Sequence, residues 1–89
     1  MKRTTVTLVN KLGLHARAAS KLVNLTKTFE SDISLASQGA PVDAKSIMSV
    51  LMLAAPVGTD LELSVSGPDE DAALDAIVEL VGDRFGEDE

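Results

Sequence analysis

Thr4-Thr5-Val6-Thr7-Leu8-Val9, then Asn10-Lys11-Leu12-Gly13-Leu14-His15, then Ala16-Arg17-Ala18-Ala19-Ser20-Lys21-Leu22-Val23: across these twenty residues the hydrophobic period changes from two to nearly four. The first six are rich in β-branched side chains and alternate, with Val6 and Leu8 on one face, which reads as a strand. Gly13 marks the next six as a loop. From Ala16 onward Ala19, Leu22, Val23, Thr26 and Phe29 recur at helical spacing and predict a helix that buries one stripe. Its other side carries Arg17, Ser20, Lys21, Asn24 and Thr28, flanked by Lys27.

Working outward, Ile33 and Leu35 alternate with Ser34 and Ala36 as a second strand. Ser37-Gln38-Gly39 is a turn, and Ala40 to Asp43 a short return strand. Ser46 precedes a short helix, Ile47 to Leu53, which Pro56 and Gly58 stop. Asp60 to Ser66 alternates cleanly, with Leu61, Leu63 and Val65 inward. Gly67-Pro68-Asp69-Glu70-Asp71 is a helix start, with proline early and carboxylates at the positive dipole end. The stripe expected to be buried there is Leu74, Ile77, Val78 and Val81, and a short acidic tail follows from about residue 84 to 89. The order is β-α-β-β-α-β-α. An α+β domain spanning 1–89, with helices on one face of a mostly antiparallel sheet, buries every stripe named.

Composition removes several function classes. Eighty-nine residues, 45% of them apolar, make one modest core. No cysteine is present, so thiolate metal sites, disulfides and redox centres are excluded, and His15 as the single histidine excludes a multi-histidine metal site. No cofactor is expected. Phe29 and Phe85 are the only aromatics, too few for a single-stranded nucleic-acid platform, and the net charge of −6 opposes phosphate backbones. The N-terminal residues do not have a signal-peptide pattern, and the near-apolar run from Val50 to Val57 is too short to cross a bilayer. The expectation is a small, soluble, monomeric cytoplasmic domain without nucleic-acid binding or membrane insertion.

The charge is graded along the chain: residues 1–30 carry +5, residues 31–59 carry −1 and residues 60–89 carry −10. Most of the positive charge lies on the His15 half. The acidic end is assigned no role beyond solubility and orientation of partners by repulsion.

His15 stands where the glycine-containing loop meets the first helix. Histidine is not a preferred N-cap, so capping alone explains it poorly. The unpaired N–H groups of the first turn and the helix dipole favour an anion there, and Arg17 adds a forked cation suited to phosphate. A neutral imidazole so placed can attack phosphorus, with donors waiting for the charge that develops. A lone histidine at a helix start is also a common surface residue. A Ser-His-Asp hydrolase is disfavoured by the lack of room for a substrate cleft beside the core. In the second helix, at about 100° per residue, Val50 and Leu53 fall on one side. Ile47, Met48 and Leu51 fall on the other, so a second apolar stripe is left for a partner unless a neighbouring helix covers it. Ser46 is first an ordinary N-cap. A phosphate added to it would be tolerated by the helix and would set about two negative charges beside that stripe.

Gly13-Leu14-His15-Ala16-Arg17-Ala18-Ala19, with Lys45-Ser46-Ile47-Met48 downstream, closely resembles the HPr family of bacterial phosphocarrier proteins, over essentially the whole chain. The resemblance implies an open-faced β-sandwich of strand order 1-4-2-3 with three helices on one face. It implies that His15 accepts a phosphoryl group on Nδ1 from phosphorylated enzyme I of the phosphoenolpyruvate-dependent phosphotransferase system and passes it to an enzyme IIA domain. Arg17 would stabilise the phosphorylated ring, with the backbone of Ala16, Arg17 and Ala18 contacting phosphate. Ser46 would be the target of an HPr kinase/phosphorylase. Ser20, Lys21, Asn24, Lys27, Ile47, Met48 and Leu51 would dock partners. Alanine stands at position 18 where the family pattern has proline, which restores a backbone N–H to the first turn. The 10–19 segment and the Phe85-Gly86-Glu87-Asp88-Glu89 ending are similar to the nitrogen-related branch, so sugar uptake and nitrogen-related regulation are both open outputs.

Two competing readings come from other classes. One is a non-catalytic regulatory module binding through the 47–51 apolar patch. The other, an acyl carrier protein, fits the small acidic size but requires a helical bundle and an Asp-Ser-Leu attachment site, whereas Ser46 lies between Lys45 and Ile47 amid strands.

Overall fold

The computed structural model describes residues 1–87. Four strands, β1 (Lys2–Thr7), β2 (Asp32–Ala36), β3 (Val42–Asp43) and β4 (Asp60–Ser66), form one antiparallel sheet in the order β1-β4-β2-β3. Three helices, α1 (Ala16–Thr26), α2 (Ile47–Met52) and α3 (Glu70–Gly82), alternate with them, and a single 3-10 turn at Arg84–Gly86 ends the described chain. This is the expected open-faced α+β sandwich. Among the described residues no helix is long and apolar enough to cross a membrane.

Register follows from the alternation. Across β1 and β4, Val6 faces Leu61 and Thr4 faces Leu63; across β2 and β4, Leu35 faces Leu63 and Ile33 faces Val65. These pairs lie on the core side, while Thr5–Glu62, Arg3–Ser64 and Ser34–Ser64 occupy the open face. A one-residue slip would exchange the two faces, so burial of Leu61, Leu63 and Val65 pins the sheet. Ala18, Ala19, Leu22 and Val23 of α1, Val50 of α2 and Ala73, Ile77 and Val81 of α3 complete the core.

Several boundaries differ from the sequence reading. The first strand runs Lys2–Thr7 rather than Thr4–Val9, because β4 is long enough to pair Lys2 and Arg3 with Val65 and Ser64. Leu8 still exchanges backbone bonds with Thr59 and Gly58, while Val9 turns outward and is exposed. The short return strand is only Val42–Asp43. Helix α1 ends at Thr26, whose buried hydroxyl donates to Val23 O and to Ala44 O at 2.8 Å, so Phe29 lies beyond the helix and is half-buried. In α3 the buried line is Ala73, Ile77 and Val81; Val78 is 42% exposed, which corrects its expected place in the core. Ile77 and Val81 keep their expected places, Leu74 is half-buried against the core rather than fully inside it, and the small Ala73 takes the fully buried position in the first turns.

The entry to α3 is also built differently. Pro68 precedes the cap residue Asp69, and the Asp69 carboxylate makes no capping bond. It reaches across to the turn before β2, accepting from Glu30 N at 2.9 Å, Ser31 N at 3.0 Å and the Ser31 hydroxyl. The Ser31 hydroxyl, followed by the Glu30 amide, holds the Asp69 carboxyl below the usual carboxylate range. Gly67 is required here: a Cβ would sit 2.6 Å from Ser31 Cα. Glu70, rather than Asp69, folds back on the helix start, accepting from Gly67 N at 3.2 Å, and that bond lowers its pKa.

Candidate functional site

The entrance of α1 is shaped by the loop before it. Gly13 has φ +65°, and a Cβ there would lie 2.5 Å from Ala55 O, so only glycine lets this loop run against the Ala55–Pro56 backbone. Leu14 then donates to Ala55 O at 2.9 Å and buries its side chain. The next residue, His15, is delivered to the head of the helix in an extended conformation, φ −82° and ψ −179°.

His15 is the N-cap of α1. Its Nδ1 accepts from Arg17 N at 3.3 Å, and its carbonyl accepts the first intrahelical bond from Ala19 N at 2.8 Å. The expectation that capping explains this histidine poorly is therefore corrected: the ring nitrogen takes the place that a serine or aspartate oxygen occupies elsewhere. Because Nδ1 is an acceptor, the proton of the neutral ring belongs on Nε2, which lies 2.6 Å from Glu87 Oε2. The other oxygen of that carboxylate accepts from Asn10 Nδ2 at 2.9 Å, and the same amide donates to Gly13 O at 2.7 Å. The Asn10 bond, then the His15 bond, with the charge of Lys21 further off, lowers the pKa of the Glu87 carboxyl. His15 keeps 28% of its side-chain surface exposed against 14% for Glu87, so the ring is reachable from one side and gripped on the other.

The chain end that supplies Glu87 is anchored. Phe85 is fully buried in the core, at φ +56°, and its carbonyl accepts from Lys21 Nζ at 2.7 Å. The acidic end is therefore part of the site up to Glu87, and the role of solubility alone is withdrawn for Phe85 and Glu87; Asp88 and Glu89 lie outside the described residues. Sequence reasoning missed Asn10, Phe85 and Glu87. A large aromatic in an otherwise acidic ending was the available signal, since such a residue is seldom left in solvent.

The other residues expected at the site divide into two groups. Ala16 and Arg17 are exposed on the first turn and Ala18 is buried beneath it, while Asn24 and Lys27 are exposed further along α1 and Ser20 is half-buried. Lys21 is tied to Phe85 and does not extend freely. At α2, Ser46 caps through Oγ, which accepts from Ser49 N at 3.4 Å, a long bond. Ile47 is 37% and Met48 66% exposed, whereas Leu51 is half-buried against the core. Met52, not named in the sequence reading, is 78% exposed; its i+4 spacing from Met48 was the signal. The second apolar stripe thus remains uncovered, and Leu51 contributes least to it.

Residues 2–83 match the family described as the PTS HPr component phosphorylation site. The phosphocarrier protein HPr of Cupriavidus necator is 49% identical over 89 residues, covering both chains completely. That of Pseudomonas aeruginosa is 47% identical over 90 residues, again at full coverage of both. Among solved structures, HPr from Thermoanaerobacter tengcongensis superposes with a TM-score of 0.96 at 39% identity, covering 100% of each chain. The likeness in sequence and in backbone extends over the whole chain, which belongs to the HPr family of phosphocarrier proteins of the phosphotransferase system.

Proposed function

We propose that His15 Nδ1 is the phosphoryl acceptor, loaded by phosphorylated enzyme I and discharged to an enzyme IIA domain. The observation that carries this reading is the orientation of the imidazole. With the proton on Nε2, Nδ1 keeps its lone pair, which accepts only the long 3.3 Å bond from Arg17 N at the first turn of α1 and gives that bond up when it attacks phosphorus. Attack forms the N–P bond while the donor's bond to phosphorus breaks and its electron pair leaves with the donor. The N–H groups of Ala16, Arg17 and Ala18 precede the first intrahelical backbone donor, Ala19, so none of them is spent on the helix ladder; among the described residues Arg17 N alone is engaged, by His15 Nδ1. Arg17 N already lies at Nδ1 and can pass from nitrogen to a phosphoryl oxygen, with the exposed guanidinium adding charge. Ala18 supplies the N–H that a proline would lack. The chain carries the group and turns over no small molecule of its own.

Incubation with phosphoenolpyruvate and enzyme I is expected to give an acid-labile, alkali-stable phosphoprotein that is lost in His15→Ala. No label, or label surviving that substitution, rejects the carrier reading. Arg17→Glu should slow transfer without altering the folded state, and unchanged kinetics would remove Arg17 from the site. The enzyme IIA that discharges the phosphoprotein decides between sugar uptake and nitrogen-related regulation.

A second reading concerns α2 and rests on the exposure of Ile47, Met48 and Met52 beside a helix cap. This apolar patch docks the phosphotransfer partners, and phosphorylation of Ser46 by an HPr kinase/phosphorylase sets charge at its edge and weakens docking. Ser46→Asp should bind enzyme I more weakly by calorimetry; equal affinity rejects the switch.

A further inference from the structure

Residue 87 lies outside the 2–83 span that the family matches, yet it makes the closest polar contact of the imidazole. We propose that Glu87 is a positioning residue for phosphoryl transfer: it holds the proton on Nε2 of His15 and balances the positive charge of the ring when Nδ1 carries the phosphoryl group. The proposal rests on the carrier reading and adds a partner for the nitrogen that does not react.

The chemistry requires such a partner. An imidazole that attacks through Nδ1 and keeps its Nε2 proton becomes a cation, with no proton lost in the step. On discharge the N–P bond breaks and its electron pair returns to Nδ1, leaving neutral imidazole with the same Nε2 proton. If Nε2 lost that proton in the phosphorylated state, the leaving group would be an imidazolate anion and transfer would slow. A carboxylate 2.6 Å from Nε2 opposes that loss in both directions of transfer. It also fixes the tautomer, as an acidic partner does for a reactive histidine in hydrolases.

The carboxylate is itself held in place. Asn10 binds its second oxygen and simultaneously ties the Gly13 carbonyl of the loop that presents His15. Phe85, two residues earlier, plugs the core, and Lys21 clamps the intervening backbone. Glu87 is mostly buried and remains ionised into the acid range because Asn10 and His15 both stabilise the charged form. The other charged side chains on the elements that meet here are the cations Arg17 and Lys21 of α1, Lys11 of the entry loop and Arg84 of the terminal turn, with Asp83 as the acidic residue before that turn. Glu87 is therefore the described carboxylate placed to compensate a cationic ring, and the cations around it favour its ionised form.

The test uses the full chain and two variants, Glu87→Gln and Glu87→Ala, with folding checked by dispersed amide spectra. In the unphosphorylated wild type, an imidazole proton coupled to Nε2 should appear far downfield, and it should vanish in Glu87→Ala. Phosphorylation by enzyme I should slow about ten-fold in Glu87→Gln, the scale of losing a charge-assisted hydrogen bond. In the same variant the pH above which phosphohistidine hydrolysis slows should move down by about one unit, a shift that a purely structural role would not produce. A wild type that is phosphorylated normally while both variants match it in rate and pH profile overturns the role of Glu87 and leaves the carrier reading intact. A ring proton found on Nδ1 overturns it as well. Failure of the wild type to be phosphorylated rejects the carrier reading, and the proton resonance still tests the Glu87 contact.

Discussion

Helices α1 and α2 begin in the same way and are built from different ranges of the chain. Each has an extended N-cap whose side chain accepts from a first-turn N–H, His15 from Arg17 and Ser46 from Ser49, at similar long distances. At Ser46 the bonds of the cap itself are local: Ser46 N donates to Asp43 O and Lys45 N to the Asp43 carboxylate. The more distant anchors, Ala44 N to Ile33 O and Lys45 Nζ to Phe29 O, hold the chain before it and not the Ser46 side chain. Around His15 the supporting bonds come from afar, from Ala55 through Leu14 and from Glu87 across 72 residues. A cap that only starts a helix needs its neighbours; a cap that presents one particular nitrogen needs a second point of attachment. The α1 entrance has that second point, and the α2 entrance has instead an uncovered apolar surface.

The contrast can be broken most severely at Phe85. Phe85→Ala should cost about 3–5 kcal/mol, the usual range for deleting a buried phenyl ring. It should also release the end of the chain, so chemical denaturation should show the loss and the Nε2 proton resonance should broaden, while signals of α2 stay in place. Next in size is Gly13→Ala, at about 2–3 kcal/mol, since alanine at positive φ is strained and its methyl group meets Ala55 O. Thermal unfolding measures this, and the imidazole resonances should shift with it. Ser46→Ala should cost about 1 kcal/mol or less, because the capping bond is long. A larger loss would make the two entrances more alike than their contacts indicate.

The smallest effect is a pH response confined to the α1 entrance. Glu87 has a lowered folded-state pKa, so its contribution is fully present above the unfolded value and is lost as pH falls through the folded one. On acidification the His15–Glu87 contact should therefore persist through the ordinary glutamate range, near pH 4, and release below it. NMR titration of the Glu87 carboxyl carbon should show this, with no matching event at Ser46.

The same contrast accounts for what was legible in the sequence. Ser46 could be read as a cap because everything that makes it one lies within a few residues. Leu61, Leu63 and Val65 could be read because alternation is a local pattern with one solution in a half-buried strand. The family resemblance pointed to His15 and Arg17, but the partner of the imidazole depends on how residue 87 returns to residue 10, which no local period encodes. Val78 was misplaced because periodicity weighs a valine above an alanine, whereas the close approach of α3 to the sheet favours Ala73. The acidic count of the last thirty residues concealed one phenyl ring and one carboxylate whose surroundings differ from those of their neighbours.

The central place of β4 between β1 and β2 has a consequence for how the chain acquires its structure. β1 and β2 never pair with each other; β2 has a short local partner in β3, but β1 has no strand partner before residues 60–66, and its pairing closes a loop of more than fifty residues. Closing so long a loop costs entropy before it returns any ladder bonds, which slows the search relative to a helical bundle of this size. A ribosome-bound chain that has not yet released β4 exposes the inner edges of β1 and β2 with their apolar faces uncovered. Beyond the short β2–β3 pairing the sheet is thus assembled late, around β4, and the edges of β1 and β2 are at greatest risk of pairing with another chain just before β4 emerges.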